Sequence, residues 1–347
     1  MNRAPGARAF LPASGIRGGR RLVLLVVAAA LLLVPLTGSR FAATTLTEML
    51  VFAIFAMSLD LLVGYTGLVS LGHAAPFGVA AYTVALLSTH GTAALAATLP
   101  AALVAGTAAA ALIGVFALRA AGVYFLMLTL AFAQMAFAVA HEWAGVTGGT
   151  NGLSGIPRPA LPAADLGGAV PFYYLVLLLA GLAAVVLARI TRSPFGAALA
   201  GVRENEARMR AMGYDTFRLK MAAFVIAGAA AALSGALYAY YNGFVSPDVL
   251  YWTTSGQVLV MVLLGGAGTL AGPAAGAAAV LLLQNLASSY TERWTLILGA
   301  AFILVVLAAP SGLAGVAARL GGPLRRLRAA NPGAGPLPPA PSEGAAR

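Results

Sequence analysis

The 347-residue sequence contains no cysteine and very few charged residues. The missing cysteines exclude disulfide bonds, thiolate metal sites and cysteine nucleophiles, and they leave the redox compartment undetermined. Charged residues make up only 9% of the chain, whereas about a quarter of residues are charged in soluble domains. Hydrophobic residues make up 61%, and the mean hydropathy is +0.90. A soluble core could not hide that much apolar surface, so the lipid bilayer must be the main solvent.

Several motifs of enzymes and nucleotide-binding proteins are also missing. The chain has no G-x-x-x-x-G-K-[ST] sequence, so it does not bind ATP through a P-loop, and it has no H-E-x-x-H, G-x-S-x-G or aspartate-rich box. Residues 61–118 include no Asp, Glu, Lys or Arg. A membrane enzyme needs a cluster of reactive groups, and a proton-coupled carrier usually needs buried ionisable relays. These absences favour a conduit that has no cofactor or metal of its own and whose energy comes from elsewhere.

Ten apolar segments are long enough to cross a bilayer, which takes roughly 17–25 residues. They cover about residues 21–37, 44–63, 73–89, 93–118, 122–140, 171–188, 221–241, 252–266, 270–288 and 294–310. With the N-terminus inside, 18 of the 21 Lys and Arg residues lie on the inner side. The sequence therefore predicts an all-α, polytopic integral membrane protein with both termini in the cytoplasm. Because the basic residues flank apolar runs, they argue against nucleic-acid binding.

The two ends of the chain differ from its middle. We expect a basic cytoplasmic N-terminus over residues 1–21, a transmembrane domain over 22–318, and a cytoplasmic tail over 319–347. The tail is rich in proline from Pro323 onward and is predicted to be disordered. As an alternative, Arg20 and Arg21 could begin a signal peptide that is cleaved within Thr37–Ala43, which would leave nine spans.

Two segments rich in glycine and proline interrupt the apolar pattern. The first, "GYTGLVSLGHAAPFGVAAY" (Gly64–Tyr82), predicts broken helices beside a substrate pathway, because irregular backbone survives in a membrane only when it is buried or lines a wet cavity. The alternative is a tight cytoplasmic turn. The second, "LLGGAGTLAGPAAGAAAVLLL" (Leu263–Leu283), has a similar pattern and could be a faint internal repeat. A third, "TGGTNGLSGIPRP" (Thr147–Pro159), predicts an outer loop.

A few polar side chains within these spans are candidates for the substrate pathway. Asp60 could be functional, since acids within a membrane usually are, or it could reach headgroup water near the end of its span. His73 has no second histidine at metal-ligand spacing, so a satisfied polar residue or a helix cap is favoured over a metal ligand. Thr129 and Gln134 could instead hydrogen-bond between helices, worth about 1 kcal/mol. The full set of candidates is Asp60, Tyr65, Thr66, Ser70, His73, Thr129 and Gln134.

A charged island over residues 189–220 carries 10 of the 31 charged residues and falls in one predicted cytoplasmic loop. If residues 195–209 are helical, their apolar side chains share one face and Glu206 lies on the same stripe. Gly213 is a natural helix C-cap, and Gly201 could break the helix into two pieces. A short amphipathic helix of this kind suits docking into a groove of a soluble partner. The alternative is a solvated loop whose arginines only set the topology.

Five segments in order resemble those of a known family. They are "GYTGLVSLGHAAPFGVAAY", "GVYFLMLTLAF", "TGGTNGLSGIP", the island from "SPFGAALAGVRENEARMRAMGYDTFRLK" onward, and "LLGGAGTLAGPAAGA". Together they resemble LivM-type permease subunits of branched-chain amino acid ABC importers, over about residues 49–312. The resemblance implies a permease in the bacterial inner membrane that is not itself an enzyme. Its partners would be a second homologous permease, two ABC ATPase subunits and an extracytoplasmic binding protein.

The resemblance also implies roles for residues of the island. The family's coupling segment maps onto Arg203–Gly213, which gives Arg203, Glu204, Glu206, Arg208 and Gly213 as the residues that couple to the ATPase. The spacing from Glu206 to Gly213 departs from the E-A-A-x-x-x-G pattern of better-known ABC permeases. Pro76 stands where the family usually has an aromatic residue and could bend its helix, and Asp60 stands where Asn is common.

The substrate is the least determined part of this expectation. A small amphiphile such as leucine or valine suits a pathway with few polar contacts and apolar walls. Related permeases for urea and short-chain amides share most of the same segments. An ion-coupled secondary carrier and a membrane enzyme are the alternatives from other functional classes.

Overall fold

Most of the protein between the first and last predicted spans is helical. A computed structural model describes residues 29–34, 40–91, 94–160 and 166–290, together with residues 296, 299, 300 and 312. The helices are α1 (Arg40–Asp60, continued by a π-helical turn over Leu61–Thr66), α2 (Ala74–His90), α3 (Leu95–Ala117), α4 (Val123–Glu142), α5 (Ala144–Thr147), α6 (Ala169–Thr191), α7 (Pro194–Glu204), α8 (Glu206–Ala211), α9 (Thr216–Asn242), α10 (Trp252–Gly265) and α11 (Ala271–Tyr290). Two short 3₁₀ turns cover Gly149–Asn151 and Pro247–Leu250.

Six of these helices are long and apolar enough to cross a membrane: α1 with its π-helical turn, α3, α4, α6, α9 and α11. Helices α2 and α10 have 17 and 14 residues. At 1.5 Å per residue both are shorter than the roughly 30 Å hydrocarbon layer. The prediction of an all-α polytopic membrane protein with interrupted helices is therefore confirmed. The eight inner predicted spans coincide with helices, whereas most of the first and last spans lies outside the described residues, as does the tail.

Helix α1 lies at the centre of the bundle. Every residue from Val51 to Asp60 is buried, and the helix packs against α6, α9, α10 and α11. The Ser234 hydroxyl of α9 donates a hydrogen bond of 2.7 Å to the Val51 carbonyl. Helix α4, in contrast, buries only Phe125, Thr129, Ala133 and Ala140. The rest of its surface is largely apolar and faces outward, as expected for a helix at the periphery of a membrane bundle.

Helices α2, α3 and α9 form a second tightly packed group beside α1. Gly235 of α9 is so close to the Phe77 carbonyl oxygen of α2 that a Cβ atom would not fit between them. Small residues allow helices to approach closely in membranes, where packing replaces the hydrophobic effect as the driving force. This contact fixes the position of α2, which begins at the first glycine-rich segment.

The ends of the helices form two faces with different charge. We call the face that carries α7, α8 and the loops 118–122 and 266–270 the basic end. It holds eight of the ten Lys and Arg residues in the described part of the chain: Arg119, Arg189, Arg192, Arg203, Arg208, Arg210, Arg218 and Lys220. The opposite end holds Arg40, Arg158 and a two-stranded antiparallel pair, β1 (Leu153–Ser154) and β2 (Phe244–Val245), in which Leu153 lies opposite Val245.

The charged island folds into a helical hairpin whose break differs from the predicted one. The chain is helical through Gly201 and breaks at Asn205, which is extended at φ −158° and whose side chain accepts a hydrogen bond of 2.9 Å from the Arg208 N–H. The prediction of a break at Gly201 was wrong, because an asparagine N-cap stops one helix and starts the next more strongly than a glycine interrupts one. Gly213, at φ +87°, follows the end of α8 and suits its predicted capping role.

The close contact at Gly235 gives a test of the packing. Gly235→Ala should lower the free energy of unfolding by about 1–3 kcal/mol, because the new methyl group overpacks the contact with Phe77. Gly181→Ala is the matched control, since a Cβ there meets open space on α6. The control should leave stability unchanged or raise it by up to about 1 kcal/mol through helix propensity. The measurement is the Tm of the detergent-purified variants, and equal Tm values would contradict the packing argument.

Candidate functional site

The first glycine-rich segment is an irregular stretch that enters the protein from the basic end. The chain leaves the π-helical turn at Gly67, which has φ +73°, and becomes helical again only at Ala74. Ser70, Gly72 and His73 within this stretch are buried. The predicted helix break is therefore present. The stretch is exposed at Gly67 and lies inside the protein at Ser70, Gly72 and His73.

Three side-chain hydroxyls, two of them from distant helices, satisfy the backbone of this stretch. The Leu71 N–H donates to the Thr129 hydroxyl at 3.2 Å, and the Ala74 N–H donates to the Ser255 hydroxyl at 2.8 Å. The Gly72 N–H donates to the Ser70 hydroxyl at 3.2 Å. These three bonds replace helical ones, which is what an irregular backbone needs when it lies away from water.

The same contacts show how deep the stretch reaches. Ser255 lies ten residues before Gly265 in α10, so it is about 15 Å along the helix axis from the basic end. Ala74 is bonded to Ser255, so α2 begins about 15 Å from the basic end, a distance equal to about half the thickness of a hydrocarbon layer. Pro76 lies in the first turn of α2. Its missing N–H costs no helical bond there, so the bend expected from Pro76 has no cause at this position.

His73 is a buried titratable side chain within this stretch. It is 1% exposed, its Nε2 atom lies 2.9 Å from the Ser58 hydroxyl, and its ring stacks on Phe55 with the centroids 5.7 Å apart. Its Nδ1 atom has no hydrogen-bond partner in the described part of the chain. The side chain does not cap α2. Within the described ranges no group of three His, Asp or Glu residues could hold a metal ion.

Asp60 joins the two glycine-rich segments. Its side chain is fully buried, and its two carboxylate oxygens accept hydrogen bonds from the Gly268 N–H at 2.6 Å and the Leu270 N–H at 3.1 Å. Gly64 packs directly against Gly268, where a Cβ on Gly64 would lie 2.7 Å from the Gly268 Cα. Sequence reasoning related the two segments only as a faint repeat, whereas the fold brings them into contact.

The remaining pathway candidates differ in whether they lie at the buried stretch. Ser70, His73 and Thr129 gather around the buried stretch through the contacts described above. Thr66 hydrogen-bonds its own helix at the Leu62 carbonyl, at 2.5 Å. Tyr65 and Gln134 are half-buried, in the π-helical turn and in α4. Contact of any of these residues with a substrate stays a prediction.

The charged island is held together by Glu206. Its Oε1 atom accepts hydrogen bonds from Lys220 at 2.7 Å and Thr216 at 3.0 Å, and it pairs with Arg210 at 2.9 Å. Although partial burial raises the pKa of Glu206, the bonds from Lys220, Arg210 and Thr216 outweigh burial and hold the pKa below its ordinary value. Glu206 thus serves the internal structure of the hairpin.

The apolar stripe of the hairpin packs on the protein itself. Leu199, Val202 and Met209 are at most 9% exposed, and Leu199 belongs to an apolar cluster with residues of α1, α4 and α9. The apolar stripe, which predicted docking into a soluble partner, is therefore covered by other helices of this chain. The outward surface carries Met212, 65% exposed, and Tyr214, 47% exposed, beside the exposed Glu204, Arg208 and Gly213.

Among the predicted coupling residues, Arg203 bonds to the first glycine-rich segment. Its guanidinium Nη1 donates a hydrogen bond to the Gly64 carbonyl oxygen. The side chain also passes Gly67, because a Cβ there would lie 3.2 Å from the Arg203 Cγ. The island and the first glycine-rich segment, which sequence analysis treated as separate features, are thus in direct contact.

Sequence reasoning missed several residues that build this site. Ser58 and Ser255 gave no signal, since a serine in an apolar helix has many structural roles. Gly268 and Leu270 lie in the second glycine-rich segment, but nothing local indicated that they bond to Asp60. Lys220 did carry a signal, because it is the single lysine of the chain and stands at the start of an apolar helix. A lone lysine at a membrane surface predicts an acidic partner, although not which one.

These features define a polytopic α-helical membrane protein in which interrupted helices meet a basic helical hairpin. A family described as "Branched-chain amino acid transport system / permease component" matches residues 41–307. The chain belongs to this family, as the resemblance predicted.

The curated relatives agree with the family match. The high-affinity branched-chain amino acid transport system permease protein LivM of Escherichia coli is 31% identical over 332 residues, covering 89% of this chain and 78% of the relative. LivM of Salmonella typhimurium is 31% identical over 315 residues, covering 84% and 73%. The permease protein LivH of E. coli is 29% identical over 144 residues, covering 41% and 46%. No solved structure matches the chain.

The Glu206 cluster gives a stability test. Glu206→Gln should lower the free energy of unfolding at pH 7 by about 2 kcal/mol, between the values for exposed and buried pairs, because the Lys220 side chain is only 9% exposed and loses its partner. Glu204→Gln is the control, since Glu204 is exposed and forms no ion pair within the described ranges. Thermal unfolding of both variants in detergent measures the difference.

The effect of Glu206→Gln on stability should depend on pH. The pKa of Glu206 is lower in the folded protein than its ordinary 4.5, so its stabilisation is fully present above about 4.5 and is lost as the pH falls through the folded pKa. The Tm difference between Glu206→Gln and the native chain should therefore shrink in acid. A difference that is constant from pH 7 to pH 4 would contradict the ion-pair origin.

Proposed function

We propose that this chain is the membrane-spanning subunit of an ATP-driven ABC importer that moves branched-chain or other small hydrophobic amino acids inward after delivery by a binding protein. The observation that carries the proposal is the contact of the hairpin α7–α8, through Arg203, with Gly64 and Gly67 at the entry to the irregular stretch Gly67–His73. A conduit that is driven by an external ATPase needs a surface for that ATPase and a connection from the surface to the pathway. The family of the chain and the names of its relatives supply the substrate class.

The stretch around His73 suits the chemistry of such a substrate. A small amino acid needs a few polar contacts for its charged ends and apolar walls for its side chain. Polar groups are sparse here and apolar side chains surround them. We place the substrate contacts at Tyr65, Thr66, Ser70, His73, Thr129 and Gln134, and we treat Asp60 separately below. The alternative is a related permease for urea or short-chain amides, which would use the same pathway with different polar contacts to the substrate.

The charge distribution supports one orientation in the membrane. Eight of the ten basic residues in the described ranges lie at the basic end. By the positive-inside rule the basic end faces the cytoplasm, and with the ten spans that the sequence predicts both termini would lie there as well. The binding protein would then approach the opposite end, which carries the β1–β2 pair. In a bacterial cell this orientation corresponds to the inner membrane.

The partners follow from the same orientation. Two ABC ATPase subunits, which would carry out the ATP hydrolysis, would dock at the basic end, where Met212 and Tyr214 are exposed beside Arg208 and Gly213. An apolar and basic surface of this kind suits a groove with an acidic rim. The second permease subunit would be a homologue, and the local match to LivH of E. coli supports this part of the proposal.

Transport by purified components tests the proposal. Proteoliposomes that contain this chain, a candidate second permease and ATPases, with the binding protein added outside, should take up leucine or valine only when ATP is present inside. Urea and acetamide are the competing substrates. Uptake that continues without ATP and collapses with the ion gradient would indicate an ion-coupled carrier, and uptake of urea alone would shift the substrate class.

The docking surface gives a specific prediction. Tyr214→Ala combined with Met212→Ala should reduce the recovery of the ATPase with the affinity-purified complex by about tenfold, because exposed aromatic and methionine side chains are frequent anchors in interfaces. Tyr290→Ala is the control, since Tyr290 is 87% exposed at the far end of α11. ATPase recovery that is unchanged in the double variant would place the docking surface elsewhere.

The pathway contacts give another prediction. Single substitution of Tyr65, Ser70 or His73 by Ala should raise the KM of uptake by about tenfold, which corresponds to one lost polar contact of about 1.4 kcal/mol. Ser289→Ala is the control, because Ser289 is exposed and its hydroxyl bonds the Leu286 carbonyl of its own helix. If uptake kinetics are unchanged in all three variants, the substrate passes elsewhere.

A further inference from the structure

Three parts of the chain meet at the basic end, around the buried side chain of Asp60. They are the end of α1 with its π-helical turn, the loop 266–270 between α10 and α11, and helix α7 of the hairpin. Asp60 holds the loop through two hydrogen bonds to its backbone. Arg203 of α7 holds the π-helical turn through the Gly64 carbonyl. The meeting point thus lies between the proposed ATPase surface and the proposed pathway.

Both carboxylate oxygens of Asp60 accept hydrogen bonds from the protein. One oxygen accepts from Gly268 and the other from Leu270, immediately before α11 begins at Ala271. The first N–H groups of a helix lack partners within it, and its N-terminus favours a negative charge. Asp60 therefore anchors the start of α11 to the end of α1. This arrangement suits a positioning role better than contact with a passing substrate.

The loop that Asp60 holds is under backbone strain. Leu270 has φ +53° and is the one non-glycine residue with a positive φ in the described part of the chain. Gly266 and Gly268 also have positive φ values, of 104° and 84°. A leucine persists in this conformation only where its surroundings hold it there. Release of the Asp60 bond would therefore allow the loop to relax into another conformation.

Arg203 lies across both glycine-rich segments. Its guanidinium bonds Gly64 and lies close to Gly268, since a Cβ on Gly268 would be 3.6 Å from the Arg203 Nη1 atom. The guanidinium also interacts electrostatically with the Asp60 carboxylate. Arg203 is itself an exposed residue, so it connects both segments to the surface of the basic end.

We propose that Arg203 and Asp60 form a link that transmits movement of the hairpin α7–α8 to both glycine-rich segments at once. Arg203 would displace the π-helical turn at Gly64, and Asp60 would make the loop 266–270 follow. The starts of α2 and α11 would then shift together, which opens or closes the pathway. Both are positioning residues, and the inference rests on the proposed importer function.

The test compares transport with ATP hydrolysis in the reconstituted complex. Arg203→Met keeps the aliphatic stem beside Gly67 and removes the guanidinium, and Asp60→Asn keeps one acceptor oxygen. Each variant should retain ATPase recovery and ATP hydrolysis within about twofold, yet transport at least about fivefold less leucine per ATP, the lower end of typical coupling between sites. Arg192→Met is the control, because Arg192 is an exposed arginine near the start of the hairpin, and it should change none of these quantities.

The double variant tests whether the two residues act as a unit. The leucine-to-ATP ratio of Asp60→Asn with Arg203→Met should fall no further than that of the more severe single variant, since residues in one link are not additive. A fluorescent label adds a direct readout, because the chain has no cysteine. A label on Thr269→Cys should change its fluorescence when ATP is added, and the change should disappear with Arg203→Met.

Each result has a defined meaning. An unchanged leucine-to-ATP ratio in Arg203→Met, additive effects in the double variant, or loss of ATPase recovery in Arg203→Met alone would overturn the link. If the native complex shows no ATP-dependent uptake, the proposed function fails instead.

If Arg203→Met does not assemble, Arg203→Lys replaces it, because its ammonium can still donate to Gly64, and it should give an intermediate ratio. A native ratio with Arg203→Lys would then overturn the role of the guanidinium.

Discussion

Every backbone N–H and C=O at bilayer depth needs a partner inside the protein, and this constraint organises the rest of the structure. The chain breaks its helices at two glycine-rich segments, and each break exposes groups that only another side chain can satisfy. Thr129 and Ser255 supply hydroxyls to the first segment, and Asp60 supplies a carboxylate to the second. Because these partners come from distant parts of the sequence, the broken helices hold their positions only in the assembled fold.

Buried charged side chains also need partners inside the protein. Asp60 and Lys220 are the two charged residues that are buried in the described part of the chain, and each lies beside an opposite charge, Arg203 and Glu206 respectively. An unpaired buried charge would cost several kcal/mol. The island therefore contains two kinds of residue. Some of its charges maintain internal contacts, and the others remain on the surface of the basic end.

The sequence predicted the features that depend on local composition and missed those that depend on tertiary contact. Bilayer thickness sets the length of an apolar span, so the apolar runs predicted the positions of the helices. The glycine-rich segments predicted where helices break. Periodicity also identified the apolar stripe of Leu199, Val202 and Met209, but it could not say whether the stripe packs on this chain or on a partner. The contact of Asp60 with residues 268 and 270 spans more than 200 positions, which no local pattern reveals.

Asp60 shows what a carboxylate contributes at this position. An asparagine here would offer one acceptor oxygen, and its amide group would face the second N–H as a donor. A carboxylate accepts from both Gly268 and Leu270 and also attracts the guanidinium of Arg203. The aspartate thus ties the strained loop, α1 and the hairpin together more firmly than an amide can. Its negative charge is tolerable at this depth because the start of α11 and Arg203 both compensate it.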